Sequence, residues 1–301
     1  MKEIKLDFTT PIKKLEISPL WHPAKGIFAS KYASVFKGRG LEFAGFREYD
    51  ELSDDAKLID WKASLRANKI LVRELVEERN LEIFFLFDVS ESMLFSSIDK
   101  LKCEYAAEFI AALSYGILSA EDSVGLGFFN DRLRTWISPG RGVQHYAIIK
   151  LLLENTANYG GKYDLSKALR DVLALPRMKM VSVLFVVSDF IGTRGLWKRY
   201  LRIACNKFDT IVVCIRDPID MELPSVPPGG EVVFEDALSG KRLAVDPGLV
   251  GDAYREENER FIRELESFVK ENRGDFLLLK TDEDFVKPVL DLFSKRAARF
   301  I

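Results

Sequence analysis

Apolar residues in the middle of the chain fall into two patterns, short unbroken runs and longer segments of helical spacing. The runs at 81–87, 180–187 and 210–215 contain almost no polar alternation. Such runs are typical of strands in a parallel sheet that is covered on both faces. Segments between them, including 101–118 and 165–175, have the spacing of helices. The alternation predicts a doubly wound, mostly parallel α/β domain over this region.

Two further stretches predict β-hairpins. Residues 123–137 contain two short apolar segments joined across Asn130-Asp131, a turn sequence, and should lie at the edge of the sheet. Residues 231–245 have the same pattern around Ser239-Gly240, after a loop rich in proline and glycine. We interpret this second hairpin as an insertion near 217–248.

The C-terminal part of the chain returns to strand and helix patterns. A long amphipathic helix is predicted at 254–269, followed by a strand at 276–279. A closing helix is predicted at 284–297, with Pro288 in its first turn or at a kink. These elements extend the α/β domain to the end of the sequence.

The first eighty residues have a different character. Residues 35–80 contain nine basic and ten acidic residues and few long apolar runs. We therefore predict two domains, an N-terminal β-rich or irregular lobe at 1–80 and an α/β domain at 81–301. The alternating charges of 47–79 favour internal ion pairs, with a docking surface as the alternative.

Composition excludes several classes of protein. The chain has 301 residues with 44 Lys+Arg and 46 Asp+Glu, and its net charge of −2 lacks the basic excess of a general nucleic-acid binder. Three cysteines without C-x-x-C spacing argue against a disulfide framework or a thiolate zinc site, and two histidines leave little material for a triad. The longest apolar helical stretch, 109–120, is shorter than the roughly 20 residues that span a bilayer. Since no secretory signal is recognisable either, we expect a cytoplasmic protein without a membrane span.

Candidate chemistry lies where two predicted strands end. The first strand runs directly into Asp88, Ser90 and Ser92 in a D-x-S-x-S pattern, and the run at 180–187 is followed by Ser188-Asp189. Ligands of open α/β sheets bind at the carboxyl ends of the strands, so these oxygens can point at one spot. Two carboxylates and two hydroxyls suit Mg²⁺, which takes few protein carboxylates and keeps several waters. The same residue types also end strands and cap helices, and that structural interpretation stays open here.

These residues resemble a known family. A D-x-S-x-S after the first strand, with an Asp at a later strand end, resembles the metal-ion-dependent adhesion site (MIDAS) of von Willebrand factor type A domains. A second and longer match, which lies ahead of Asp88, resembles the signature of the domain of unknown function (DUF) 58 family. It consists of Arg47-Glu48-Tyr49, Asp54-Asp55, Ile59-Asp60-Trp61-Lys62-Ala63-Ser64, Arg66, Val72-Arg73-Glu74 and Glu78-Arg79. Members of that family are similar to von Willebrand A domains and are commonly encoded beside MoxR-type AAA+ ATPases.

The resemblance also implies a third metal loop, which usually reads Gly-Gly-Thr-Asp-Leu with the Thr as a ligand. This chain has Gly160-Gly161-Lys162-Tyr163-Asp164-Leu165, so Tyr163 falls where the Thr would be. A Tyr hydroxyl is too far from its own backbone to replace a Thr hydroxyl without rearrangement. Asp164 is the nearby substitute ligand, although it can also cap the helix that follows.

The resemblance implies a function without catalysis. We expect a protein-binding module of the von Willebrand A (Rossmann-like) type, an adaptor or co-chaperone of a MoxR-like AAA+ ATPase. Its metal residues would be Asp88, Ser90, Ser92, Asp189 and Asp164, with Mg²⁺ as the ion and a protein carboxylate as a further ligand. Two alternatives remain, a metal-independent scaffold of the same fold and a Mg²⁺-dependent hydrolase with an Asp as general base. The sequence has no G-x-x-x-x-G-K-[ST] motif for nucleotide phosphates.

Overall fold

The computed structural model describes residues 4–17, 42–50, 59–76, 81–227, 230–235 and 241–298. The chain divides into two compact units, a small one at Phe36–Asn80 and a large one formed by Leu81–Ile301 together with Met1–Val35. The helices are α1 (Thr9–Ile17), α2 (Trp61–Ala67), α3 (Lys102–Ser119), α4 (Gly142–Glu154), α5 (Leu165–Ala174), α6 (Trp197–Lys207), α7 (Pro218–Met221), α8 (Pro247–Glu271) and α9 (Val286–Ala298). The strands are β1 (Glu42–Glu48), β2 (Leu71–Val76), β3 (Glu82–Asp88), β4 (Ser123–Phe129), β5 (Leu133–Gly140), β6 (Val183–Ser188), β7 (Asp209–Arg216), β8 (Val232–Glu235), β9 (Arg242–Val245) and β10 (Asp275–Lys280).

The described residues of the small unit form an antiparallel pair of strands and a short helix. Strands β1 and β2 pair antiparallel, and α2 lies between them in sequence. Asp60 caps α2, because its carboxylate accepts the backbone N–H groups of Lys62 and Ala63. Within the charged block predicted to form ion pairs, Lys69 pairs with Glu48. The acidic pair at 54–55 and the residues at 78–79 lie outside the described residues.

The large unit contains a six-stranded sheet in the order β10-β7-β6-β3-β4-β5. All neighbouring strands are parallel except β5, which pairs antiparallel with β4 at the edge. If the six strands of this sheet are numbered 1 to 6 in chain order and read from the β5 edge, their spatial order is 3-2-1-4-5-6. This is the order of doubly wound Rossmann-like folds. The predicted mostly parallel α/β fold is therefore confirmed, and its topological switch point lies between β3 and β6.

Helices cover both faces of this sheet, as the unbroken apolar runs require. Successive residues of β3 point to opposite faces, so Phe84 and Leu86 join a buried cluster with α5, α6 and α8. On the other face, Phe85 stacks on Phe185 with ring centroids 4.7 Å apart. Helix α3 is buried along almost its whole length. No helix within the described ranges is long and apolar enough to cross a membrane.

Residues 4–17 pack with the large unit, which corrects their predicted place in the N-terminal lobe. Phe8 is buried, and the backbone N–H groups of Lys5 and Asp7 donate to carboxylates of α3, those of Glu104 and Glu108. Helix α1 also packs against α3. The N-terminal segment therefore covers part of α3 rather than belonging to the small unit.

The C-terminal half follows the predicted order with shifted boundaries. Strands β8 and β9 form the expected hairpin as a separate two-stranded sheet, and its turn at Ser239-Gly240 lies outside the described residues. Helix α8 begins at Pro247, earlier than predicted, because Asp246 caps it and proline suits the first helical position. Pro288 lies in the first turn of α9, as expected.

Candidate functional site

Asp88 ends β3 at the switch point of the sheet and is fully buried. One carboxylate oxygen accepts the backbone N–H of Ser90 at 2.9 Å, and the other accepts the hydroxyl of Ser188 at 2.6 Å. Burial, and then the charge of Asp189, raise the pKa of Asp88 to about 7, although hydrogen bonds from Ser188 and Ser90 oppose the rise. Asp88 is therefore a buried carboxylate whose negative charge is only partly compensated.

Ser90 and Ser92 place two hydroxyls beside this carboxylate. Their Oγ atoms are 3.2 Å apart, with Ser90 buried and Ser92 half-buried. Magnesium–oxygen distances of about 2.1 Å in an octahedron put adjacent ligand oxygens roughly 3 Å apart. The spacing of the two hydroxyls therefore fits two neighbouring ligands of one Mg²⁺ ion. Asp88 would supply the charge at this position.

Asp189 has a buried ion-pair partner, Lys102, that its sequence pattern does not indicate. The ammonium of Lys102, at the start of α3, lies 2.8 Å from Asp189 and 2.9 Å from Asp220. Lys102 and Asp189 are almost completely buried. Burial lowers the pKa of Lys102, but the charges of Asp189 and Asp220 outweigh this effect and leave the pKa raised. The second carboxylate of the predicted metal site is thus neutralised by a cation of the chain itself.

The loop at 160–161 closes one side of the site. Gly160 N–H donates to the carbonyl of Val89 at 2.6 Å, and Glu91 N–H donates to the carbonyl of Gly161 at 2.9 Å. Both glycines have positive φ, +105° and +96°. At Gly161 a Cβ would also lie 2.7 Å from Nδ2 of Asn130, so this position requires glycine. The loop is fixed directly against the D-x-S-x-S segment.

Tyr163 and Asp164 take different directions after this loop. The Tyr163 hydroxyl lies 3.4 Å from Oγ of Ser188, while its ring packs against that of Phe129. Burial, and then the charge of Asp88, raise the pKa of Tyr163. Asp164 instead caps α5, because its carboxylate accepts the N–H of Lys167 at 3.0 Å. The capping alternative for Asp164 is the one observed, and its role as a metal ligand stays a prediction.

The structure thus brings together most of the residues selected from the sequence. Asp88, Ser90 and Ser92 form one cluster, and Asp189 lies close enough to affect the pKa of Asp88. No group of three or more His, Cys, Asp or Glu side chains converges as a metal site among the described residues. A donor set of one carboxylate and two hydroxyls fits Mg²⁺ on the Asp88 side, whereas Asp189 is already paired. The sequence contains one signal for Lys102, a cation in the first turn of a helix, where the helix dipole disfavours positive charge.

The strand order and the edge cluster define a von Willebrand A-like α/β protein. The family described as "Protein of unknown function DUF58" matches residues 45–266, which is most of the chain. The chain therefore belongs to the DUF58 family, as the resemblance implied.

Several known proteins are similar to this chain. Two are the uncharacterized proteins Mb1516 of Mycobacterium bovis and Rv1480 of Mycobacterium tuberculosis, each 27% identical over 90% of this chain and 84% of the relative. The crystal structure of a conserved hypothetical protein, BatB from Bacteroides thetaiotaomicron, has a TM-score of 0.48 and 17% identity, covering 72% of this chain and 99% of that one. A von Willebrand factor type A structure from Catenulispora acidiphila has a TM-score of 0.36 and 13% identity, covering 75% of this chain and 43% of that one.

Proposed function

We propose that this chain is a non-enzymatic protein-binding module that recognises its partner at the edge formed by the carboxyl ends of β3 and β6. The observation that carries the proposal is the cluster of Asp88, Ser90 and Ser92 at the switch point, where ligands of doubly wound sheets bind. Its von Willebrand A-like fold suggests the same general role, that of a protein-interaction module. We place the module in the cytoplasm.

In the leading form of the proposal the edge holds Mg²⁺. Ser90 and Ser92 would supply two oxygens at suitable spacing, and Asp88 would supply negative charge. A bound divalent cation would supply the positive charge that attracts a carboxylate of the partner. The raised pKa of Asp88 supports this form, because a nearby cation would stabilise the ionised form of a buried carboxylate that lies next to a second one.

A second form uses the same edge without a metal ion. It is favoured by Lys102, whose ammonium already neutralises Asp189, and by Tyr163, whose hydroxyl lies beside Ser188 where the family pattern has a Thr. Partner binding would then depend on hydrogen bonds from the hydroxyls of the edge. A Mg²⁺-dependent hydrolase remains a weaker alternative, because the candidate site offers no second catalytic group besides its carboxylates.

The expected partner is a MoxR-like AAA+ ATPase or one of its clients, and membership of the DUF58 family supports this expectation. The test is a pull-down from the native host with the full chain and with Asp88→Ala, scored for an AAA+ ATPase. Asp252→Ala is the matched control, because Asp252 is an exposed acid on α8. We expect Asp88→Ala to lose the ATPase and Asp252→Ala to keep it. Equal capture by all three proteins would contradict the proposal.

Calorimetry separates the two forms of the proposal. Titration of the full chain with Mg²⁺ and with Mn²⁺ should give saturable heats that Asp88→Ala abolishes if the edge holds a metal ion. Negligible heats, together with partner capture that EDTA does not change, would favour the metal-independent form. Turnover in a screen of phosphoester and nucleotide substrates, abolished by Asp88→Ala, would favour the hydrolase instead.

A further inference from the structure

A cavity of about 550 Å³ lies directly over the candidate edge. Ser90, Ser92 and Tyr163 of the edge line part of it. The volume is within the range of natural ligand pockets, about 300–1,000 Å³. We propose that this cavity binds a partner segment in which an apolar side chain stands next to a carboxylate. The inference rests on the proposed function, since it names the partner chemistry of the same edge.

The apolar wall of the cavity comes from five separate segments. Phe95 follows the D-x-S-x-S loop and Ile191 follows the end of β6, and these two side chains are 42% and 37% exposed. Ile219 of α7, Phe234 of β8 and Tyr254 of α8 complete the wall. Tyr254 is fixed there because its hydroxyl donates to the carbonyl of Ile219 at 3.0 Å. Exposed aromatic and aliphatic side chains around one cavity are suited to enclosing an apolar side chain of a partner.

The predicted hairpin insertion is what supplies Phe234 to this wall. The Phe234 side chain is half-buried, whereas the neighbouring Val233 points to the other face of the strand and is 59% exposed. Strand β8 pairs with β9, and Glu235 next to Phe234 forms an ion pair with Arg242 at 2.8 Å. The insertion therefore has a definite place in the proposed site.

Two cations, Lys162 and Arg194, also line the cavity. Both are exposed, and neither has an ion-pair partner among the described residues. Helix α5 begins just after the loop of Lys162, and its Ser166 hydroxyl donates to the carbonyl of Arg194 at 3.1 Å. The two positive charges are therefore held on neighbouring loops.

Two of the three acids that line the cavity have a cationic partner. Asp220 pairs with Lys102, and Glu235 pairs with Arg242. Glu91 accepts the backbone N–H of Gly161 at 3.3 Å. Two exposed cations against one carboxylate without a cationic partner in the described part of the chain leave an excess of positive charge at the cavity, which favours a carboxylate of the partner over a cation. Since its lining combines apolar side chains with two exposed cations, the cavity suits an apolar side chain adjacent to an acid.

The experiment uses an array of N-acetylated hexapeptides, Gly-Ser-X-Z-Ser-Gly, probed with the full chain. X is Asp, Glu, Asn or Gln, and Z is Phe, Leu, Ala or Ser. We expect peptides with an acid at X and Phe or Leu at Z to bind at least about fivefold more tightly than their amide or small-residue counterparts. Dissociation constants of labelled peptides, measured by fluorescence polarisation, give this ratio.

Variants of the cavity then assign the two preferences to its cations and to its apolar side chains. The double variant Lys162→Glu/Arg194→Glu should lose the preference for the acid, and Phe234→Ala should reduce the preference for Phe or Leu. Lys179→Glu and Val233→Ala are the matched controls and should keep both preferences. Lys179 is an exposed cation that precedes β6, so it lies near the opposite edge of the sheet.

Each outcome decides the inference separately from the proposed function. Binding to no peptide, or binding that ignores X and Z, overturns the inference, and so do preferences that survive in the cavity variants. If Asp88→Ala loses the ATPase in the pull-down while the cavity variants retain it, the edge acts in recognition and the cavity does not. If the cavity variants change peptide preference while Asp88→Ala captures the ATPase normally, the inference stands and the role of Asp88 fails.

Discussion

The buried ammonium of Lys102 should be one of the most important single charges for the stability of the large unit. Lys102→Met keeps a side chain of similar length and removes the charge, so Asp189 and Asp220 lose their common counter-ion. Both carboxylates are buried, and the Lys102 side chain is 1% exposed. We expect the variant to be destabilised by about 3–5 kcal/mol, the cost of removing one partner from a buried ion pair.

The magnitude follows from the distances. At separations of 2.8 and 2.9 Å, Coulomb's law with an effective dielectric constant of about 20 gives about 6 kcal/mol of attraction for each pair. Removal of the ammonium recovers its own desolvation penalty, which amounts to several kcal/mol. The remaining loss is a large fraction of the roughly 5–15 kcal/mol that stabilises a typical domain.

Urea unfolding at pH 7, followed by circular dichroism, measures this loss directly. Lys179→Met is the matched control and should change stability by less than about 0.5 kcal/mol, because Lys179 is exposed. A double-mutant cycle with Asp189→Asn should give a coupling energy of at least about 1 kcal/mol. A loss below about 1 kcal/mol for Lys102→Met, with no coupling, would refute the reasoning, since it would mean that the ammonium is not compensating buried carboxylates.

Three further predictions concern protonation, thiol burial and backbone conformation. Burial and Asp189 raise the pKa of Asp88 from 3.8 to about 7, so the folded state holds the extra proton between these values. Stability should therefore fall as pH rises from about 4 to 7, by up to about 1.4 kcal/mol per pH unit. Urea midpoints measured across this range should show the fall in the wild type and not in Asp88→Asn. Identical pH profiles for the two proteins would contradict the prediction. The three thiols, of Cys103, Cys205 and Cys214, are buried and have raised pKa values. The native protein should therefore resist maleimide, whereas the urea-unfolded protein should take up three equivalents. Rapid labelling of the native protein would count against this. Gly161→Ala should lower the free energy of unfolding by about 1–3 kcal/mol more than Gly192→Ala in the same urea assay. Both glycines have positive φ, but only at Gly161 would the new Cβ meet a neighbour, Nδ2 of Asn130 at 2.7 Å. Equal losses of stability would show that the loop moves to accommodate the Cβ.

The central sheet was predictable from sequence because burial on both faces leaves a distinctive pattern. The strands β3, β6 and β7 are apolar apart from their ends, and their observed bounds differ from the predicted runs by a few residues. Helix α4 was not predicted, and its exposed residues explain why. Val143, Ile148 and Leu151 are apolar but exposed, so the apolar spacing of this segment does not mark its buried face.

The candidate site was predictable only as far as it is local in sequence. The hydrogen bond between Asp88 and Ser90 N–H and the contact between the Ser90 and Ser92 hydroxyls follow from residue types two positions apart. The pairing of Lys102 depends on residues 87 and 118 positions further along the chain. Such a contact follows from the packing of α3 against the sheet edge, which periodicity does not specify.

The charges of this edge determine which acid can test its function. Asp217 is buried but accepts hydrogen bonds from the backbone N–H groups of residues 97 and 219, and Asp189 and Asp220 share Lys102. Asp88 accepts hydrogen bonds from neutral groups, and no ion pair to it is present among the described residues. Replacing Asp189 would leave Lys102 with a single counter-ion and confuse a binding defect with a loss of stability. Asp88→Ala removes an uncompensated buried charge but leaves the Ser90 N–H and the Ser188 hydroxyl without their acceptor, which costs about 1–3 kcal/mol. Asp88→Asn keeps the side-chain size and one oxygen acceptor, so a loss of partner capture by the folded Asp88→Asn protein can be attributed to the edge itself.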